Sequence, residues 1–437
     1  MSAVDLSPHL EALGKVSTMR VSGRVTGLTG LAVRAVVPGA RQGELVEIRT
    51  PGRSPLAAEV VGFREEEVVL LPLGGSDGLG LDSEVLPAGR PLALQAGPGL
   101  LGRVLDGLGR PLDGTPLPAG LRSWPVDRPA PSPLRRRRIA EPLPLGIRAI
   151  DALATVGEGQ RIGLFAGSGV GKSTLLGQIA RYSRAELCVI GLVGERGREV
   201  REFVEESLGA EGLRRSVVVA ATSDAPALVR LRAAHVATAI AEYFAEAEGR
   251  RVLLMLDSLT RFARAQREVG LAAGEPPARQ GYPPSVFGAL PRLLERAGNR
   301  ERGGITGVYT VLVAGGDMDE PIADEARGIL DGHVVLERRL AERGQWPAVD
   351  VLQSLSRVMA AVTGQAHRAA AGRLRELLAR YEAQRDLIAV GAYRRGSDPR
   401  TDEAIARIGE IEAFLRQGSA EQAAFEETSA RLQALFG

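Results

Sequence analysis

The sequence predicts an α/β protein: a core with a parallel sheet, preceded by a small β-barrel and followed by a helical domain. Apolar runs alternate with helical stretches through the middle of the chain. Short Val- and Leu-rich runs broken by Gly, Pro and Asp come before them, and only helical spacing follows Pro347. With 437 residues, 44% of them hydrophobic, the chain can fill two or three cores.

Residues 1–20 read as a leader with a short helix. Residues 21–95 read as the barrel, from the runs VSGRVTGL, LAVRAVV, LVEIRT, AAEVVGF and EVVLLPL. A barrel of this size could bind oligonucleotides, but such folds stack bases on aromatic rings, and Phe63 is the only aromatic residue among the first hundred. The core is expected over residues 96–346. It opens with a Pro-, Gly- and Arg-rich connector (97–145) whose run Arg135 to Arg138 reads as a solvated face or linker. RIGLFA, ELCVIGLV, SVVVAA, RVLLML and GVYTVLVA then read as buried strands, the first four each followed by a helical stretch. From residue 347 to 437 the strand signal is gone, and LRELLARYEAQRDLIAV and TDEAIARIGEIEAFLRQ carry helical spacing.

The 55 basic and 53 acidic side chains nearly cancel, so charge names no nucleic acid or anionic membrane as the main partner. Cys188 is the only cysteine, which excludes an intrachain disulfide and a multi-cysteine metal site and fits a reducing, cytoplasmic setting. No stretch approaches the length of apolar sequence that spans a bilayer.

The chemistry is concentrated in AGSGVGKST, residues 166–174, between a strand and a helix. Gly167, Gly169 and Gly171 lack a Cβ, so the backbone N–H groups of Gly167, Ser168, Gly169, Val170, Gly171, Lys172, Ser173 and Thr174 can wrap an anion at the positive end of the helix. Lys172 is one of two lysines in a chain that otherwise uses arginine. A compact ammonium on a flexible stem reaches a phosphate inside the curl, where a broad guanidinium does not fit. Ser173 is placed to ligate Mg²⁺, and Ala166 stands where the motif usually has its first glycine. RVLLMLD ends a buried strand with Asp257, where Mg²⁺ is held through water; taken alone, such an Asp is a helix cap. Glu195, at the end of another strand, is the candidate for orienting the attacking water, or else a first-turn acid favouring the helix dipole.

GQRIGLFAGSGVGKSTLLGQIAR, GERGREVREF, LLMLDSLTRFARAQREVG, GYPPSVF and GAYRRGSDPRTDEAI together resemble the ATPases of bacterial type III secretion. They are similar to the flagellar export ATPase and, more distantly, to the catalytic β subunit of F-type ATP synthase, whose acidic run in the helical domain is missing here. The resemblance implies a RecA-like core binding ATP and Mg²⁺, in a homohexamer with sites at subunit interfaces. It places Lys172 on the phosphates, Ser173 and Asp257 on the metal, and Glu195 as the catalytic glutamate. Arg196 and Arg261 fall near the γ-phosphate, Arg357 matches an arginine finger from the neighbouring subunit, and Trp346 replaces the usual tyrosine beside adenine. It further implies a peripheral location at the cytoplasmic face of the inner-membrane secretion apparatus, where the enzyme releases chaperones and unfolds substrates. Expected partners are stalk and stator proteins, with chaperone–substrate complexes at the C-terminal domain and no nucleic acid. DMDEPIADEARGILDGHVVL and VDVLQSLSRVM read closer to the injectisome branch than to the flagellar one. A Rho-type RNA translocase shares the core but needs a base-stacking N-terminal domain; a non-catalytic scaffold would lack Glu195 or Arg357.

Overall fold

A computed structural model describes residues 21–436; the expected leader, 1–20, lies outside them. They form two compact units, one running to Leu92 and the other made of Ala93–Leu271 with Glu275 onward.

The first unit is a closed antiparallel barrel of β1 (Gly23–Thr29), β2 (Ala32–Val36), β3 (Glu44–Arg49), β4 (Leu56–Arg64), β5 (Glu67–Pro72) and β6 (Glu84–Pro91), in the order β1-β2-β5-β4-β3-β6. Alternation drives it: Val46 and Ile48 of β3 point inward with Val33, Val60, Leu70 and Val85, and the residues between them face out. The five expected runs supply five strands. The closing strand, EVLPAGRP, was not among them, because two prolines and a glycine disguise it. Its pairing with β3 is bulged between Glu44 and Val46, and the buried Glu44 carboxylate accepts from the N–H groups of Gly89 (2.7 Å) and Arg41 (3.0 Å).

In the second unit β7 (Ala93–Ala96) and β9 (Arg122–Pro125) form a ribbon, and the main sheet is built from eight strands. These are β8 (Val104–Asp106), β10 (Arg161–Ala166), β11 (Leu187–Glu195), β12 (Ser216–Thr222), β13 (Arg251–Asp257), β15 (Gly304–Leu312), β16 (Gly332–Leu336) and β17 (Val349–Ser356). Their order is β17-β16-β10-β15-β13-β11-β12-β8, and β14 (Gly298–Asn299) adds to β15. All pairs from β16 to β8 are parallel. β11 is buried over its whole length, as expected of a parallel strand covered on both faces.

Two expectations are corrected here, and the connector, expected within the core, gains a strand. The connector contributes β8 to the sheet edge through VLD, a run too short to read as a strand. The arginine run is not a solvated face throughout: Arg136 donates to the carbonyls of Ala297 and Glu295, and Arg137 to those of Arg300 and Gly303 (2.8 and 3.0 Å). The strand signal does not end at Pro347, since β17 follows it, antiparallel to β16. Asp350 hides this strand by accepting from the N–H groups of Leu352 and Gln353, which breaks the alternation of an edge strand with exposed Leu352 and Leu355.

The helix Ala227–Glu246 covers β11, β12 and β13. From it Glu242, 1% exposed, takes a bidentate pair from buried Arg296 (2.8 and 2.7 Å). Removing Arg296 takes both close hydrogen bonds from a carboxylate that water cannot reach, leaving it only the longer pairs with Arg128 (3.8 Å) and Arg300 (3.9 Å). Arg296→Ala is therefore expected to destabilise the fold by about 3 kcal/mol, read as a lowered denaturation midpoint. The C-terminal helices Gln365–Ala389, Pro399–Leu415 and Phe425–Ala434 pack on the short helix Arg148–Leu153. His367 fixes this contact, its ring bonding to Ala152 O (2.8 Å) and Ser429 Oγ (2.9 Å).

Candidate functional site

The parallel sheet brings the carboxyl ends of β10, β11, β13 and β15 to one edge, where open α/β sheets bind ligands. Register sets the neighbours: Leu192 of β11 lies beside Asp257, and Ala166 of β10 beside Leu312 of β15. β10 runs into the 167–171 turn and then into the helix Lys172–Tyr182. Gly171 is left-handed (φ 80°), and a Cβ on it would stand 2.8 Å from the Trp346 ring, so only glycine fits. Gly169 is also left-handed (φ 77°), whereas Gly167 has no such φ and no crowded Cβ; its freedom from a side chain is not what bends the loop. Val170 turns its side chain into the core and offers the site its backbone alone. No side chain caps the helix, so its first N–H groups stay available to an anion.

Lys172 Nζ lies 2.5 Å from Asp257 Oδ1 and 3.5 Å from Glu195 Oε1. Thr310, which the sequence did not single out, donates to Asp257 Oδ1 at 2.7 Å and fixes that carboxylate. Arg261 reaches back to Gly194 O and pairs with Glu195 Oε2 at 3.0 Å. Glu195 Oε1 is buried with no hydrogen-bond partner among the described residues, leaving lone pairs beside Lys172. Burial, and then the nearby Asp257 carboxylate, raise the Glu195 acid to about 7 against the opposing pull of Lys172 and Arg261.

Two clefts meet at the P-loop. One, of about 420 Å³, is polar: Lys172, Ser173, Glu195, Arg196 and Arg261 line it with Glu199, Arg264 and Glu320, three that sequence reasoning missed. Arg264 follows Arg261 by one helical turn, a spacing that could have marked it. The other, of about 540 Å³, is mainly apolar and lies between Trp346 and the segment Gln417–Ser419, with Gln178 and Thr174 at its floor. A charged compartment beside an apolar one, sharing Gly169, Gly171 and Thr174, fits a polyphosphate joined to a flat base.

Arg196 borders the polar cleft, but its side chain is largely exposed and pairs with Glu199 at 3.3 Å. Arg357 lines neither cleft; it is exposed after β17, donating to Arg327 O at 3.4 Å. Ser173 lies at the helix start and Asp257 is buried opposite Lys172, so the donors for a cation are oxygens. No cluster of three or more His, Cys, Asp or Glu able to hold a metal occurs among the described residues. Two oxygen donors beside an anion cradle fit Mg²⁺, which keeps its waters and takes substrate phosphates rather than an all-protein cage.

Residues 146–356 match the ATP synthase alpha/beta family, nucleotide-binding domain, and residues 363–434 match the T3SS EscN ATPase C-terminal domain. The type 3 secretion system ATPase of Sinorhizobium fredii is 54% identical, covering 98% of this chain and 96% of its own. The chain belongs to the type III secretion ATPase family. The flagellum-specific ATP synthase of Bacillus subtilis is also 54% identical, over 95% of each chain, so identity does not separate the two branches of this export-ATPase family. The assembled ATPase EscN of the enteropathogenic E. coli type III secretion system superposes with a TM-score of 0.88 at 44% identity, covering 94% of this chain and 99% of that one. As a member of this family the chain binds and hydrolyses ATP, on a barrel, a P-loop core and a helical region. No helix among the described residues is long and apolar enough to cross a membrane.

Proposed function

We propose that the chain energises type III protein export as the ATPase of an injectisome, working as a homohexamer on Mg²⁺ and ATP. The observation that carries the site is the convergence of Lys172, Glu195 and Asp257 at the open mouth of the P-loop. The P-loop N–H groups and Lys172 hold the β- and γ-phosphates, and Trp346 stacks on adenine. Ser173 and Asp257 hold Mg²⁺, which when bound neutralises phosphate charge. Glu195, braced by Arg261, presents Oε1 to the attacking water and takes its proton. Arg196 borders the γ-phosphate, and Arg357 serves the site of an adjacent copy.

The injectisome assignment rests on DMDEPIADEARGILDGHVVL and VDVLQSLSRVM. EscN has been solved as an assembly and with its central stalk EscO, which supports a ring and a stalk partner here. The C-terminal helices are the proposed docking place for chaperone–substrate complexes, which the enzyme separates and unfolds. We place the ring peripherally at the cytoplasmic face of the inner-membrane apparatus, with stator proteins. We place the barrel at 21–95 and the core from 96 to Ser356, ten residues past the boundary expected at 346 because β17 pairs with β16, with the helical domain after it.

Lys172→Arg tests the phosphate site. The charge is kept, but the planar head cannot enter between Asp257 and Glu195 in the same curl, so kcat/KM is expected to fall at least about tenfold. Wild-type turnover in this variant would remove Lys172 from the reaction.

A further inference from the structure

The apolar cleft has an unusual second wall. Trp346 forms one side; the other is the strap Arg416–Ser419, which belongs to no helix or strand and follows the helix Pro399–Leu415. A segment without its own backbone ladder keeps its shape only through bonds to something else. Here that is mainly Arg148, 4% exposed, which lines neither cleft. Its Nη1 donates to Arg416 O (2.7 Å) and Phe414 O (3.2 Å), its Nη2 pairs with Glu421, and its backbone N–H donates to Gln417 Oε1 (2.7 Å).

The strap's remaining groups are committed in the same direction. Gln417 Nε2 donates to Gly146 O and Glu421 O, both at 2.8 Å, and Gln417 N to Trp346 O at 2.8 Å, which ties the two walls together. Gly418 N donates to Glu421 Oε2 (3.0 Å), while Gly418 O accepts from Gln178 and Ser419 O from Arg181, both on the P-loop helix. Trp346 O, Gly146, Gln178 and Arg181 hold the strap from the cleft's own side, and Arg148 and Glu421, which line neither cleft, hold it from behind.

We propose that Arg148 is a positioning residue for the base: through the strap it sets the wall facing Trp346, and so the contribution of the base, but not of the phosphates, to nucleotide affinity. This rests on the reading that Trp346 stacks on adenine. A lysine at 148 keeps the charge but cannot bridge two carbonyls and a carboxylate at once, because it lacks the planar fork. The wall then loosens while the P-loop is unchanged.

The test measures calorimetric Kd values for a non-hydrolysable ATP analogue and for inorganic tripolyphosphate, on the full chain and on Arg148→Lys, Glu421→Ala and Trp346→Ala. Losing one charge-assisted hydrogen bond corresponds to about tenfold in affinity. Arg148→Lys is expected to weaken the analogue about tenfold and Glu421→Ala several-fold, with tripolyphosphate unmoved and kcat at saturating ATP within about twofold of wild type. Should Arg148→Lys not fold, Glu421→Ala decides, since that carboxylate lies on the partly exposed rim. Equal weakening of both ligands, or of neither, by the Arg148 and Glu421 variants overturns the proposal. If Trp346→Ala weakens only the analogue while those variants do nothing, the positioning role alone falls. If Trp346→Ala changes neither ligand, the base reading falls and the inference with it.

Discussion

Glu195→Gln is expected to lower turnover by about 10²–10⁴ while leaving nucleotide affinity within a few-fold of wild type. The two effects separate because the two oxygens of Glu195 have different roles. Oε2 is held by Arg261 at 3.0 Å, and a glutamine oxygen can still accept that bond, so the side chain keeps its orientation. Oε1 is buried and without a hydrogen-bond partner; in the proposed mechanism it is the atom that accepts the proton of the attacking water, which an amide there cannot do. In the proposed site the ground-state nucleotide is gripped by the P-loop and Lys172, which the substitution leaves in place. An interaction used only in the transition state should lower kcat and kcat/KM together. Equilibrium binding of a fluorescent ATP analogue alongside steady-state hydrolysis reads both quantities. Equal loss of binding and turnover would make Glu195 a structural acid that holds Lys172 and Arg261 in place.

The parts of this site differ in how openly the sequence declares them. The P-loop, Glu195 and Asp257 were legible because each sits at the end of a strongly apolar strand, and strand ends of a parallel sheet gather at one edge whatever the detail of the loops. Thr310 was not legible: it lies inside GVYTVLVA, and only the register of β15 against β13 places its hydroxyl under Asp257. The strap Arg416–Ser419 carried no signal, since its role depends on Arg148, whose side chain reaches carbonyls 266 and 268 residues away in sequence. The same distinction holds for the fold. Five barrel strands announced themselves by alternation, while β6, β8 and β17 were masked by prolines, shortness and an edge-strand turn at Asp350. Where burial on both faces dictates residue type the sequence is plain; where a backbone group is satisfied by one remote side chain it is not.

Arg357→Ala is expected to have the largest effect, lowering kcat by about 10³–10⁵, because an arginine supplied to a transferring phosphoryl group stabilises charge that develops only in the transition state. Within one chain nothing prepares Arg357 for such a contact, since it is exposed beyond β17, bonded to the carbonyl of Arg327, and lines neither cleft beside the P-loop. An exposed, always-charged side chain held near the end of a rigid edge strand is well placed to enter a neighbour's site, and poorly placed to enter its own. Activity should then belong to the assembly, so that wild-type specific activity climbs with protein concentration over the range where sizing shows monomers giving way to rings. Mixing Arg357→Ala with Lys172→Ala chains should restore some turnover, because part of the interfaces in a mixed ring join an intact P-loop to an intact arginine. The concentration series decides the matter. Specific activity that is flat from the monomeric range to the assembled one would mean that each chain carries a complete site, and Arg357 would then have no part in the chemistry.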